Sequence, residues 1–270
     1  MPPARPRLPE ADLNAAARGL VVAAGLVALW QAVVWLTGAP PYILPGPARV
    51  AETWFARLDT IVANGLVTLA EILLGLALGT LVGALTATTI GYFRPARRWL
   101  LPVLVVSQAI PVFALAPLLT LWLGYGMASK VAMATLIIYF PVTAGFLDGL
   151  NRTEPGWLDL ARTMTAGRPR ARLAILRHIR IPAALPALAS GLRVATAVAP
   201  IGAVVGEWVG SSAGLGYLML HANGRMQTDL MFAALLTLAL IALALYFAVD
   251  AGLRRALPWV PERQAPVEPS

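Results

Sequence analysis

An all-α membrane protein with about six transmembrane helices is the fold class that the sequence predicts, and three observations predict it. Hydrophobic residues make up 59% of the 270 positions and charged residues only 13%, with a mean hydropathy of +0.73. A soluble domain carries about 25% charged residues, so this chain has too little polar surface to cover a globule in water. Several apolar stretches exceed the ~18 residues that suggest a membrane span. Lipid offers no hydrogen-bond partners, so each span must satisfy its own backbone, which selects helices; a β-barrel would show alternating segments of ~10 residues instead. The basic residues, finally, gather in short connections between the apolar runs, as membrane orientation requires.

The elements follow in order. Residues 1–18 form a polar, Pro-rich tail. Leu20–Leu36 is the first span; it is longer than a typical signal-peptide core and lacks a clean small-residue cleavage site, so it is expected to be retained. A loop from Gly38 to Gly65 contains Pro45-Gly46-Pro47 and then a short helix over Ala48–Asp59. Span two covers Leu66–Tyr92, long enough to tilt or to project beyond the hydrocarbon. Span three, Leu100–Leu123, carries Pro102, Pro111 and Pro117. Proline removes a backbone donor, so this span is expected to be bent or broken. Spans four, five and six cover Ala128–Leu150, Leu185–Val209 and Leu230–Leu253. The membrane domain is therefore 19–257, including a polar loop at 151–183, and 258–270 is a Pro-rich tail.

Charge orients this map. Arg5, Arg7, Arg18, Arg94, Arg97, Arg98, Arg152, Arg162, Arg168, Arg170, Arg172, Arg177, Arg180, Arg254, Arg255 and Arg263 fall on one side. Arg49, Arg57, Lys130 and Arg225 fall on the other, and Arg193 lies inside span five. Sixteen against four obeys the positive-inside rule and puts both termini in the cytoplasm. The net charge of +8 is thus a membrane signal, and nucleic acid is not expected as a partner. The absence of cysteine excludes disulfides, thiolate metal sites and cysteine catalysis.

Ionisable residues inside a membrane are costly and usually face a protein interior or a watery path. Glu71, Arg193 and Glu207 are the candidates, with Thr68, Ser107, Gln108 and Thr196 as weaker polar ones. Glu71 has two readings: it lines a pathway, or it holds two helices together by pairing with Arg193. Glu207, next to Trp208, lines the path or anchors the outer interface with a solvated carboxylate. Pro111 marks a candidate gate in span three. Gly75, Gly79 and Gly83 permit close helix packing. No catalytic residues, metal ligands or cofactor are expected: the chain has no HExxH, GxSxG or P-loop. If ATP drives transport, another chain must hydrolyse it.

The loop at 151–183 is open to two readings on charge alone, a solvated segment on the membrane surface or a docking element for a partner. Its segment Leu158-Asp159-Leu160-Ala161-Arg162-Thr163-Met164-Thr165-Ala166-Gly167, followed by Ile181-Pro182-Ala183-Ala184-Leu185-Pro186, resembles the EAA loop of ABC importer permeases. Ser190-Gly191-Leu192-Arg193, Val205-Gly206-Glu207-Trp208 and Gly214-Leu215-Gly216-Tyr217-Leu218 extend the likeness downstream; Ile43-Leu44-Pro45-Gly46-Pro47, Ile110-Pro111, Ala116-Pro117-Leu118 and Trp122-Leu123-Gly124-Tyr125-Gly126 extend it upstream. The order and spacing look like the subfamily serving nitrate, taurine, sulfonates and thiamine-precursor pyrimidines. Two departures stand: Ala161 occupies the place of the motif's glutamate, with Asp159 the nearest acid, and the interval from Gly167 to Pro182 is two residues longer than the pattern.

The resemblance implies a type I importer permease fold in the bacterial inner membrane. It implies a second permease copy, cytoplasmic ATP-binding subunits, and a periplasmic or lipid-anchored substrate-binding protein, all within membrane lipid. It further implies that Asp159, Leu160, Ala161, Arg162, Thr163, Ala166, Gly167, Ile181 and Pro182 couple the chain to the ATPase, with Ala161 and Ala166 small enough for close approach. The solute expected is small and polar or anionic. The rival reading is an ion-coupled secondary transporter, for which Glu71 would be the membrane carboxylate.

The orientation is directly testable in a chain without cysteine. Arg49→Cys and Arg225→Cys are expected to react with a membrane-impermeant thiol reagent in intact cells, and Arg98→Cys and Arg172→Cys are not; the opposite labelling pattern overturns the map.

Overall fold

A computed structural model describes residues 10–107 and 110–260, and all of the described regular structure is helical. The helices are α1 (Glu10–Thr37), α2 (Pro47–Ala56), α3 (Leu58–Tyr92), α4 (Arg94–Ser107), α5 (Val112–Leu123), α6 (Met127–Asn151), α7 (Pro155–Met164), α8 (Ala171–Ile175), α9 (Ile181–Gly210), α10 (Leu215–Gly224) and α11 (Thr228–Ala256). Five helical stretches are long and apolar enough to cross a membrane: Ala17–Thr37, α3, α6, the continuous run Ala171–Gly210, and α11. The predicted third span is instead divided. Its two halves are α4, with Pro102 inside, and α5, which starts after Pro111 and contains Pro117. Pro111 lies exposed at this break, while Gln108 lies outside the described residues.

Helix α3 starts at Leu58 rather than Leu66, directly after α2. At 35 residues and 1.5 Å per residue it is about 52 Å long, well beyond a hydrocarbon core of about 30 Å. The expected short helix after Pro45-Gly46-Pro47 is α2, with Pro47 in its first turn, where a missing N–H costs nothing. Trp54 donates from Nε1 to Thr237 Oγ1 at 2.9 Å, and Thr53 Oγ1 donates to Asp229 Oδ2 at 3.1 Å. These bonds strap α2 across α11. Helix α1 rests on the same end through Trp30, stacked on Phe232.

The centre of the fold is α6, packed between α3 and α9. Small residues make this possible. A Cβ at Gly75 would lie 2.5 Å from Ala134 Cβ, and one at Gly79 2.6 Å from Ile138 Cγ2. On the other face, a Cβ at Gly191 would lie 2.6 Å from the Pro141 carbonyl oxygen, and one at Gly202 2.7 Å from Ala134 Cα. Backbones approach to contact, which supplies the dispersion that lipid-embedded helices need in place of a hydrophobic driving force.

Three buried apolar clusters follow one another along the bundle. Ile72, Ala134, Ile138, Val142, Ala195, Ala199 and Ala203 form the middle one. Val50, Ile61, Leu215, Leu218 and Leu230 close one end, and Ala87, Ile90, Phe146, Leu150, Leu176 and Ala184 close the other. The first end carries α2 and α10 and few arginines; the second carries α7, α8 and most of them. They are called here the Arg-poor and Arg-rich ends.

Gly191 is the sharpest test of this packing, because the atom in the way is backbone. Gly191→Ala is expected to cost about 1–3 kcal/mol and to lower the unfolding midpoint in detergent, followed by tryptophan fluorescence. Gly25→Ala, where a Cβ would meet nothing within 4 Å, is the control and should leave the midpoint in place; equal midpoints for both variants would refute backbone contact at Gly191.

Candidate functional site

Two places collect the residues singled out by the sequence, one at each end of the bundle. At the Arg-poor end a polar cluster is buried among α3, α6, α9 and α10. Glu207 is 1% exposed, which corrects the expectation of a solvated interfacial carboxylate. The carboxylate is buried because the 214–217 turn folds over it. It accepts from Thr68 Oγ1 at 2.6 Å, from the Gly216 amide, and from the Tyr217 amide at 3.3 Å. Thr68 Oγ1 in turn accepts from the Leu215 amide at 2.8 Å, and Asn64 Oδ1 accepts from the Gly214 amide at 2.8 Å.

The first amides of α10, orphaned by helix geometry, are therefore all answered by side chains of α3 and α9. A carboxylate at this position also complements the positive end of the helix. Gly214 is required here twice over. Its φ is 110°, and a Cβ would lie 2.2 Å from Glu207 Cδ.

Glu71 is also 1% exposed and lies beside Glu207 and Lys130. Its Oε2 has no hydrogen-bond partner among the described residues. Lys130, counted on the Arg-poor side at the start of span four, is 2% exposed in the first turn of α6. Its Nζ donates to the carbonyls of Tyr125 and Gly126, the latter at 2.9 Å. Two carboxyls and one ammonium thus share a space removed from solvent.

Glu71 does not pair with Arg193. Arg193 Nε donates to Asp250 Oδ1 at 2.6 Å, and Arg254 Nε donates to Asp250 Oδ2 at 2.8 Å, so Arg193 joins α9 to α11. Of the candidate pathway residues, the fold brings Glu71 and Glu207 together and keeps Arg193 and Pro111 apart from them. Lys130, Asn64 and Asp250 were not anticipated. Asp250 had a signal, an acid four residues before Arg254 within an apolar run; only the fold brings Asn64 to the Gly214 amide and Lys130 beside Glu71 and Glu207.

At the Arg-rich end, α7 stands off the bundle. Pro155 opens it, Thr165 Oγ1 donates back to the Ala161 carbonyl at 2.7 Å, and Gly167 at φ 75° turns the chain away. Asp159 and Arg162 pair at 2.7 Å on its exposed side, an ion pair that stabilises little. Ala161 is covered by its own chain, whereas Ala166 is exposed. Trp157, Leu160 and Met164, on one helical face, are all exposed, Leu160 by 62%. Thr163 Oγ1 donates to the Asp159 carbonyl at 3.0 Å.

The chain then runs through a π-helical turn, Leu176–Arg180, into α9 at Ile181 and Pro182. The Ile181 amide bonds Leu176 O. This wider ring lies where Pro182 removes the next backbone donor.

The cap on α10 can be tested by removing it. Glu207→Ala leaves the Gly216 and Tyr217 amides buried and unanswered, and hydrogen bonds to a charged group are each worth about 1.5–3 kcal/mol. Its unfolding midpoint is expected well below that of Glu207→Gln, which keeps one acceptor oxygen. Equal midpoints for the two variants would mean that the carboxylate does not hold α10.

Comparison with known proteins agrees with this architecture. The model of the binding-protein-dependent transport system inner membrane component family matches residues 79–260. A probable ABC transporter permease protein of Haemophilus influenzae is 56% identical over 87% of this chain and 95% of its own length. The riboflavin transport system permease protein RibX of Chloroflexus aurantiacus is 40% identical over 86% of this chain and 85% of its own. The formylaminopyrimidine transport permease protein ThiX of Halalkalibacterium halodurans is 34% identical over 87% and 92%. Among solved structures, the inward-facing MetNI methionine ABC transporter superimposes with a TM-score of 0.63 over 74% of this chain and 97% of that one, at 19% identity, a likeness of fold. The chain is a permease of the binding-protein-dependent transport system inner membrane component family, with the type I ABC importer fold.

Proposed function

We propose that this chain, in two copies, forms the translocation path of an ATP-driven importer and that α7 is where a separate ATPase pushes on it. The observation that carries the reading is the exposed apolar face of α7, Trp157, Leu160 and Met164, on a short helix that packs little of itself against its own bundle. Large apolar side chains on one helix face are the anchors of a helix-in-groove contact. The orientation that the arginines favour puts this face, and both termini, in the cytoplasm, where ATP is.

The coupling surface is then Leu160, Trp157 and Met164 with Ala166 at its edge. Asp159, Arg162 and Thr163 lie beside it, while Ala161 and Ile181–Pro182 support it from within. The family implies the ATPase, and an external binding protein delivers the solute. The polar cluster of Glu71, Lys130 and Glu207 lies towards the opposite end, where it closes the path or opens it.

For substrate, a nitrogen heteroaromatic of the thiamine-precursor pyrimidine type is the leading class. The named relatives for formylaminopyrimidine and riboflavin support it. Sulfonates, taurine and nitrate form the second class; taurine is the substrate named for an Escherichia coli permease 28% identical to this chain. The spans offer few polar groups, which suits passage of a small solute without tight retention.

The test is reconstitution of the permease with its ATPase and binding protein in proteoliposomes, with uptake of labelled hydroxymethylpyrimidine, riboflavin, taurine and nitrate. ATP-dependent uptake, strongest for the pyrimidine, is expected. Leu160→Arg and Ala166→Arg should cut substrate-stimulated ATP hydrolysis about tenfold or more, the effect of losing an interface anchor, with the permease still inserted. Uptake of taurine or nitrate alone replaces the substrate class. Uptake driven by an ion gradient without ATP overturns the importer reading in favour of secondary transport, and full stimulation in both variants moves the docking site elsewhere.

A further inference from the structure

Behind α7, at the Arg-rich end, lies a cavity of about 810 Å³ whose walls come from four parts of the chain. The ends of α3 and α6 supply Gly91, Tyr92 and Leu150, α4 supplies Arg97, and the segment from α7 to the π-helical turn supplies Arg162, Arg168, Arg172 and Arg180. Five guanidinium groups thus line one cleft, and no aspartate or glutamate does. Of these five arginines only Arg162 has a carboxylate partner among the described residues, Asp159 on the exposed side of α7.

The bland account is that these arginines merely finish the helix ends, and in part they do. Arg180 donates from Nη1 to the Gly91 carbonyl at 2.9 Å and from Nη2 to the Leu150 carbonyl at 2.8 Å. Arg172 donates to the Tyr92 carbonyl at 3.0 Å and lies over the Tyr92 ring, 5.4 Å from its centroid. Carbonyls satisfy donors but do not cancel charge. A guanidinium has five N–H groups: Arg172 has spent one on the helix end and Arg180 three. Arg97 is close enough to Arg180 for the two charges to repel. Arg97 and Arg168 make no side-chain hydrogen bond among the described residues. What the carbonyls achieve is to hold Arg172 and Arg180 in place, so their remaining N–H groups are already positioned for a ligand.

We propose that this cleft binds a phosphate group, of an anionic phospholipid headgroup or of a free phosphate ester. The planar guanidinium fork matches phosphate oxygens in pairs. Bare backbone at Gly91 and Gly167, and the methyls of Ala166 and Ala171, leave room for a compact tetrahedral anion beside the arginines. The cleft also sits at the C-terminal ends of two membrane-length helices, α3 and α6, and basic pockets between helix ends bind anionic headgroups. An acidic partner peptide would need no cavity of this depth between helix ends. The site stands on its own residues, whatever solute the permease carries.

The experiment uses the full-length permease purified with its ATPase, in detergent, by native mass spectrometry and calorimetry. The probes are phosphatidylglycerol, phosphatidylcholine and inorganic phosphate. Wild type is expected to retain phosphatidylglycerol and not phosphatidylcholine. Arg97→Gln with Arg168→Gln should weaken phosphatidylglycerol or phosphate binding at least about tenfold. Arg177→Gln with Arg255→Gln, which removes two charges at the same end outside the cleft, should not.

Phosphatidylglycerol displaced by excess inorganic phosphate assigns a free phosphate ester as the ligand; phosphatidylglycerol retained against it assigns the lipid. No selective binding by wild type, or equal loss in the two double variants, overturns the proposal. So does loss of the ATPase complex in Arg97→Gln with Arg168→Gln while phosphate and lipid binding persist, which would make the cleft a protein contact.

Discussion

Backbone contact across α6 is the interaction on which the rest of this structure depends. Gly75 and Gly79 bring α3 against one face, and Gly191 and Gly202 bring α9 against the other. In lipid there is no hydrophobic gain from hiding one apolar helix against another, so close approach and the dispersion it brings must hold the helices together. Both candidate sites hang on this sandwich. Helix α6 presents Lys130 at one end and the Leu150 carbonyl at the other; α9 presents Glu207 at one end and continues back through Arg180 at the other. The long helices are stiff, and their contact runs the length of the bundle, so the α7 end and the α10 end are joined by a rigid pair rather than by loops.

The buried polar cluster shows how the fold makes an expensive arrangement tolerable. Carboxyls removed from water are costly unless hydrogen-bonded. Glu207 meets that demand from three sides: a hydroxyl from α3 and two amides from α10. Thr68 serves in both directions, donating to the carboxylate and accepting from the Leu215 amide, so α3, α9 and α10 are fixed by one small network. Glu71 and Lys130 are less completely answered. Glu71 keeps an oxygen without a partner, and Lys130 spends its ammonium on the carbonyls just before α6. An unevenly satisfied buried network is where a second arrangement costs least.

The Arg-rich end has the opposite character. Its apolar side chains face out on α7, and its charges are gathered behind it. Arg172 and Arg180 tie this segment to the closing carbonyls of α3 and α6, so α7 stands on a braced support although little of it packs on the bundle. The π-helical turn before Pro182 lets that support run without interruption into α9.

Much of this was legible in the residues. Apolar runs of membrane length, the proline-divided third span, the short helix after Pro45-Gly46-Pro47 and the glycine series of α3 all appear in the structure, because each rests on chemistry within a few residues of itself. The polar segment at 151–183 was equally visible. The partners of the charged residues were not. Pairing with Arg193 is one of the two readings that the sequence leaves open for Glu71, but the fold gives the two different partners: Glu71 meets Glu207 and Lys130, Arg193 meets Asp250. Of the two readings of Glu207, the solvated anchor fails: the carboxylate is buried because a turn seven residues downstream folds back and uses it as a cap. Composition and pattern determined that the chain spans the membrane and in what order its helices come, since the bilayer acts on each segment separately. Only the tertiary structure decided which buried charges meet, because that depends on helix rotation and crossing, set by contacts between residues far apart in the chain.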